Sequence, residues 1–444
     1  MRLPNLLASK AGRLTAFFFL YLTEGIPLGF VAVAVATQLR RQGVGPEAIG
    51  AFIGSFYLPW SFKFVMGPVV DVFSSDRLGR RRLWIVGAQC MMVLTLLSTV
   101  GVDLPAQLHV FTILLLAHNI FGATQDVAID ALAVSVLREH ERGLANGVMF
   151  AAAYLGQTVG GSAVLFLMDS LSFQGSVVFV ASCILSVTLL VALPLREPRS
   201  ERPFAVAGSR LTAVGAEVRG FLVEAGRAMF LSGPARAGLV FALLPAGAMS
   251  LGLALQSNLA VEIGLTDAAI ATLSFWSAVT AAGGCVVGGM LSDRFGRRRM
   301  LAVYIVLMAI PVVWLAGVLR SHGWIMPVDV QDPARPLAPA ALITAFWMAT
   351  LVYAWLNGLM YGTRTALFMD VTEPAVAATQ FTAYMALLNG VIAYSARWQG
   401  WWIERFGYPS TLLVDAAFGM ICLAVLPFMA RREASGPPEA NNQI

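Results

Sequence analysis

GMLSDRFGRRR, at residues 289–299, decides how this chain folds, because DRLGRRR at 76–82 nearly repeats it. Each copy follows one long apolar run and precedes another. Glycine permits tight backbone approach, aspartate can face a helix N-terminus, and arginines cannot enter hydrocarbon, so each copy reads as a turn fixed at one face of a membrane. Gly289, Asp293, Arg294, Gly296 and Arg297 carry the full pattern Gly-x-x-x-Asp-Arg-x-Gly-Arg-Arg-Arg. Asp76, Arg77, Gly79 and Arg80 carry the shorter copy, with Gly67 and Asp71 as its opening and five extra residues before Gly79. The first turn is therefore expected to latch differently from the second.

Composition agrees with a membrane setting. Hydrophobic residues make up 58% of the chain and charged residues 12%, where soluble domains carry roughly a quarter charged. Runs of about 20 apolar residues, enough to cross roughly 30 Å of hydrocarbon as helix, recur throughout. Twelve spans are expected at about 14–39, 47–66, 83–100, 108–137, 144–168, 175–195, 235–262, 268–290, 300–319, 340–371, 377–403 and 410–430. A β-barrel would alternate over about ten residues, whereas LWIVGAQCMMVLTLLSTV at 83–100 is continuously apolar. The fold class is an all-α membrane protein with two six-helix bundles.

An even number of spans puts both termini on one side. Arg2, Lys10, Arg13, both Arg-rich turns, Arg138, Arg142, the central segment, Arg431 and Arg432 share that side, and the opposite loops hold Arg40, Arg41, Arg320, Arg335 and Arg405. The positive-inside rule then makes the termini cytoplasmic. Topology accounts for the net charge of +5, and nucleic-acid binding is set aside for want of a basic soluble face. The first apolar run is span-length without a clear small-residue cleavage site, so it is read as the first helix and not a signal peptide. Cys90, Cys183, Cys285 and Cys422 stand singly in apolar helices and suit buried thiols; no metal or cofactor is expected.

The repeated turn implies parallel halves, residues 1–195 and 235–432. VGPEAIG from Val44 precedes the second span as GLTDAAI from Gly264 precedes the eighth, and Gly122 and Gly362 each stand eight residues before an aspartate, Asp130 and Asp370. Residues 196–234 form a cytoplasmic linker whose Leu211, Val214, Val218, Leu222 and Phe230 follow mostly helical spacing. A helix on the membrane surface and a solvated tether both fit. Residues 433–444 are expected to be a disordered tail.

Ionisable groups inside spans are costly and so are candidates for function. Asp126 and Asp130 lie four apart in FGATQDVAIDALAV, on one face of the fourth helix, with Gln125 alongside. Asp126 suits either a proton carrier or an ionised gate partner; Asp130 suits structural pairing. Arg364 sits at similar depth on the tenth span, where it could approach Asp126 when the cytoplasmic side closes or grip an anionic solute with two parallel hydrogen bonds. Glu24, in YLTEGIPLGF about 15 Å into the first span, is a second proton-carrier candidate or a hydrogen-bonded core carboxyl. Lys63 and Arg397 are expected to snorkel at span ends, the latter among Trp398, Trp401 and Trp402. His118 beside Asn119 suits a satisfied core histidine or a proton relay. Gln256, Asn258 and Asn357 are candidate polar contacts to a solute, and Asp370 joins the cytoplasmic gate residues.

PWSFKFVMGPVVD at 59–71 with GRRRLW, ATQDVAIDALAV at 123–134, LGQTVGG at 155–161 and ATQFTAYMALLN at 378–389 resemble the peptide and acetyl-CoA transporter family of the major facilitator superfamily. That family includes muropeptide permeases of bacteria and acetyl-CoA transporters of eukaryotic endomembranes. The resemblance covers essentially all twelve spans. It implies a secondary transporter moving bulky, often anionic solutes to the cytosol by alternating access, with proton coupling known for bacterial members. Asp71, Gln125, Asp126 and Asp130 carry over by motif position. Glu24 does not, since the relatives are neutral there, and neither does Arg364, where the muropeptide permease is neutral. The chain stops after twelve spans, without a C-terminal pair associated with muropeptide permeases, and twelve-span relatives include siderophore permeases. LGQTVGG and TAYMALLN lean toward the acetyl-CoA branch. The expectation is a proton symporter for an acetyl-CoA-like or muropeptide-like solute, monomeric, in the lipid bilayer of a bacterial inner membrane. A non-transporting solute sensor is the alternative. A membrane acyltransferase would need a placed base such as histidine, and of His109, His118, His140 and His322 only His118 lies well inside a span.

Overall fold

A computed structural model describes residues 5–73, 79–138, 141–197, 210–372 and 377–429. Among the described residues, ten helices are long and apolar enough to cross a membrane. They reconcile with twelve spans at two places. Gln380–Ala424 is two spans joined at Gly407, whose φ of 78° turns the chain back on itself. The seventh span is broken into Gly233–Ala242 and Ala254–Glu262, each too short to cross alone. The remaining spans are Lys10–Arg41, Pro46–Val70, Arg80–Gly101, Leu108–Val136, Gly147–Met168 and Ser170–Ala192 in the first half, then Asp267–Phe295, Arg297–Ser321 and Ala340–Val371 in the second.

Within the membrane each break must satisfy its own backbone groups, and the sequence supplies the means. Pro245 and Gly247, the latter at φ 83°, interrupt the seventh span. The carboxylate of Asp415 in the twelfth span accepts from the Met249 and Ser250 amides at 2.8 and 2.9 Å, and Gln399 donates to its other oxygen at 2.8 Å. Tyr353 of the tenth span donates to the Ala248 carbonyl at 3.0 Å. In the second span, Pro59 and Pro68 flank a short 3-10 turn at Lys63–Val65, because proline removes a helical donor and crowds the preceding turn.

Small residues let helices approach where water offers no drive to pack them. The first and fifth spans cross at Gly25, Gly29, Gly156 and Gly160, where a Cβ on Gly160 would strike the Ile26 carbonyl. The two halves meet along the second and eleventh spans, with Gly50 against Ala396, Gly54 against Ala393 and Gly400 against Pro46. The eighth span adds contact with the fifth.

Asn5 hydrogen-bonds the backbone of Arg196 at 3.0 and 3.1 Å, so the N-terminus and the end of the sixth span share a face, called here the terminal face. The linker contains a helix, Arg210–Leu231. Its Ala225, Ala228 and Met229 are buried, Phe221 stacks on Phe64 at 5.2 Å, and Leu211, Leu222 and Phe230 are exposed. The tail and residues 198–209 lie outside the described residues.

The internal repeat has a structural counterpart. Gly43 and Gly264 end the first and seventh spans at φ 83° and 86°. Each is followed by the same closing bond, Val44 N to Leu39 O and Leu265 N to Ala260 O, both 3.0 Å.

Candidate functional site

The break in the second span turns Lys63 inward. Its ammonium donates to Asp126 Oδ2 at 3.0 Å, and its side chain is 19% exposed. This corrects the expectation that Lys63 snorkels at a span end: the proline-bounded turn places it within the bundle instead. Trp60 supports it with a ring centroid 6.0 Å from Nζ, while Trp60 Nε1 donates to Asn119 at 3.0 Å.

Three carboxyls surround this single cation. Asp126 is buried, Glu24 of the first span lies against it with Oε1 enclosed and without a partner among the described residues, and Asp130 accepts a short hydrogen bond from Tyr21. Gln125 points to the same wall, donating to Thr23 at 3.0 Å. Three carboxyls and one ammonium thus share one wall of the first half. His118 is fully buried with Nδ1 2.9 Å from the Met92 carbonyl, apart from these contacts.

Between the halves lies a cavity of about 190 Å³. Leu28, Ala32, Tyr57, Tyr154 and Gln157 line it from the first half; Gln256, Ser257, Tyr353 and Asn357 line it from the second. Gln256 and Asn357 thus face the space expected of solute contacts. Asn258 does not: it is fully buried, and its amide has no partner among the described residues. Residues 251–253 at the mended break of the seventh span also form part of the wall.

Arg364 is 8% exposed, its guanidinium 4.9 Å from the centre of the Tyr361 ring. Asp126 and Arg364 are not paired in this structure, since Asp126 is engaged by Lys63.

The face remote from the termini is closed by charge pairs that the sequence reading did not anticipate. Arg40, at the end of the first span, meets Glu262, at the end of the seventh, at 2.6 Å, with side chains 4% and 0% exposed. Tyr408 and the Val328 amide both donate to Glu262, at 2.5 and 2.9 Å, and Arg40 in turn donates to the Val328 carbonyl at 2.6 Å. Arg41 pairs with Asp267 at 2.5 Å and Arg405 with Glu47 at 2.7 Å. The signal available was positional: opposite charges at the ends of repeat-related spans, just before matching glycine turns.

The two Arg-rich turns are built differently. In the second, Arg297 bridges Asp293 at 3.0 Å and Asp370 at 2.6 Å, while Gly296 at φ 92° makes the corner and Arg294 lies over Phe295. Gly289 precedes this corner within the eighth span and has open space around it. In the first, Gly79 at φ 89° precedes the third span, which begins at Arg80, and Glu197 accepts from the Arg81 and Arg82 amides at 3.0 and 2.5 Å. Asp76, Arg77 and the side chain of Asp71 lie outside the described residues.

A profile of the Major Facilitator Superfamily matches residues 14–250, more than half of the chain. The chain belongs to the Major Facilitator Superfamily. This facilitator is 24% identical over 412 residues to the anhydromuropeptide permease of Escherichia coli, an alignment covering 90% of this chain and 77% of the permease. Among solved structures it resembles a POT family transporter in complex with a thioalcohol-conjugated peptide, with TM-score 0.71, 10% identity and coverage of 94% and 96%. It also resembles the inward-open xylose transporter XylE from E. coli, with TM-score 0.68, 14% identity and coverage of 96% and 98%. With the family match and a permease among its relatives, the chain is a transporter and not an enzyme.

Proposed function

We propose that this facilitator is a proton symporter that imports a bulky polar or anionic solute by alternating access, with both termini in the cytoplasm of a bacterial cell. The observation that carries this reading is the buried cluster of Glu24, Asp126, Asp130 and Lys63 on one wall of the route from the cavity. Glu24 lies one helical turn, roughly 6 Å, from Leu28 on the cavity wall. Proton binding there alters the charge facing the solute, which is the coupling a symporter needs. In this account Glu24 and Asp126 share the transported proton, Asp130 anchored by Tyr21 sets the local field, and Lys63 neutralises whichever carboxyl is ionised.

The structure is closed at the remote face, where ion pairs join the halves. The excess of arginine on the terminal side supports its assignment to the cytoplasm. The cavity is smaller than the ~300–1,000 Å³ of sites for drug-sized ligands, so a bulky solute extends from it past Glu24 and Arg364. Similarity to the anhydromuropeptide permease puts muropeptides first among candidate solutes.

Uptake into proteoliposomes under an inward proton gradient tests this, with an anhydromuropeptide, acetyl-CoA and a ferric siderophore as solutes. The reading predicts accumulation of one of them by the wild type, lost in Asp126→Asn while exchange of labelled solute persists. Exchange that ignores the gradient in both proteins would contradict it and indicate a facilitator without proton coupling.

A further inference from the structure

The charges near the middle of the molecule do not balance locally. Arg13 is paired with Glu141, Arg40 with Glu262 and Lys63 with Asp126, all in buried settings. Arg364 is as buried as these, yet it has no ion pair or hydrogen bond to a described residue, and its Nε is enclosed without an acceptor. An unpaired buried guanidinium is expensive, and a protein retains one where a partner arrives from outside.

Its surroundings suit such a partner. Tyr361 holds the guanidinium plane from one side, and Tyr154 and Tyr353, both on the cavity wall, are its electrostatic neighbours. Arg364 stands seven residues along the tenth span from cavity-lining Asn357, roughly 10 Å, toward the terminal face. The carboxyl cluster of Glu24, Asp126 and Asp130 belongs to the other half. A solute lying between them would meet amides and phenols in the cavity, a proton-binding wall on one side and a fixed cation on the other.

We propose that Arg364 is the receptor for an oxyanion of the solute, a carboxylate or a phosphate, held by paired N–H donors with Tyr361 behind the guanidinium. This rests on the transporter reading above and narrows the solute to one that carries a negative group. Guanidinium matches both oxyanions in bidentate geometry. A neutral analogue would leave the cation unpaired and bind weakly.

Equilibrium binding to the purified full-length protein, with no gradient imposed, separates this from proton coupling. The probes are 1,6-anhydro-N-acetylmuramic acid, its neutral methyl ester and acetyl-CoA, applied to wild type, Arg364→Lys and Arg364→Gln. One of the acidic probes should bind the wild type, the carboxylate or the phosphate compound according to the oxyanion recognised. Its affinity should fall roughly ten- to hundredfold in Arg364→Gln and less in Arg364→Lys, with the ester indifferent to either change. Without any probe, Arg364→Gln should melt at or above the wild-type temperature, since it removes an uncompensated charge. Acidic probes that bind wild type and Arg364→Gln equally, or that bind no better than the ester, would overturn the proposal. So would a drop in the melting temperature of probe-free Arg364→Gln, which would mark Arg364 as a structural residue. If Arg364→Gln lowers only gradient-driven uptake and leaves acidic-probe affinity unchanged, Arg364 serves the gate with Asp126 and the proposal fails, while the symporter reading stands.

Discussion

At the remote face, Arg40, Arg41 and Glu47 of the first half meet Glu262, Asp267 and Arg405 of the second. Toward the terminal face, the ion pairs between described residues stay within one half: Arg13 with Glu141, Lys63 with Asp126, Arg297 with Asp293 and Asp370. The same chemistry therefore serves two purposes. Charges paired across the groove hold one end shut, and charges paired within a half leave the other end free to part. The contrast teaches that the position of a pair relative to the groove, more than its distance or burial, decides whether it is a latch or a local scaffold.

The largest effect is expected at the carboxyl cluster. Asp126→Asn should abolish gradient-driven accumulation while the protein still folds, because an amide can still accept from Lys63 but cannot exchange a proton; uptake with and without the gradient reads this. Next in size is Asp415→Ala. It leaves the buried Ser250 amide and the part-buried Met249 amide of the broken seventh span without their acceptor, at up to about 1–3 kcal/mol each, so thermal denaturation should show clear destabilisation together with weakened solute binding. If stability falls and binding does not, the broken span is scaffold and not part of the site.

Gly160→Leu probes rigidity within the first half. Overpacking the crossing of the first and fifth spans should cost about 1–3 kcal/mol, seen as a lower melting temperature with the remote latch intact. The smallest effect is expected from Arg297→Ala. Its partners are 65% and 46% exposed, so the loss should stay under about 1 kcal/mol, and a larger one would mean that the turn bears on the conformational equilibrium.

The spans and the two-bundle fold were legible because apolar length and the repeated turn are local signals. The broken seventh span was less so: Pro245 and Gly247 mark it, but the repair comes from Asp415, more than 160 residues away. Asp126, Asp130 and Glu24 stood out as carboxyls within apolar runs, and that logic extended poorly to Lys63, whose inward turn depends on Pro59 and Pro68 acting together. The latch escaped because Arg40 and Glu262 each look like an ordinary charge at a helix end. Their partnership exists only once the halves are docked.

The most direct test of alternating access in this account is a pair of inter-half distances measured by spin labels, one across each face, in wild type and in Arg40→Ala. Removing Arg40 strands Glu262 and should cost the latched state about 3–5 kcal/mol. The account predicts a reciprocal change: the remote-face distance lengthens while the terminal-face distance shortens. Lengthening at the remote face with no closure at the other, or no change at either, would contradict it.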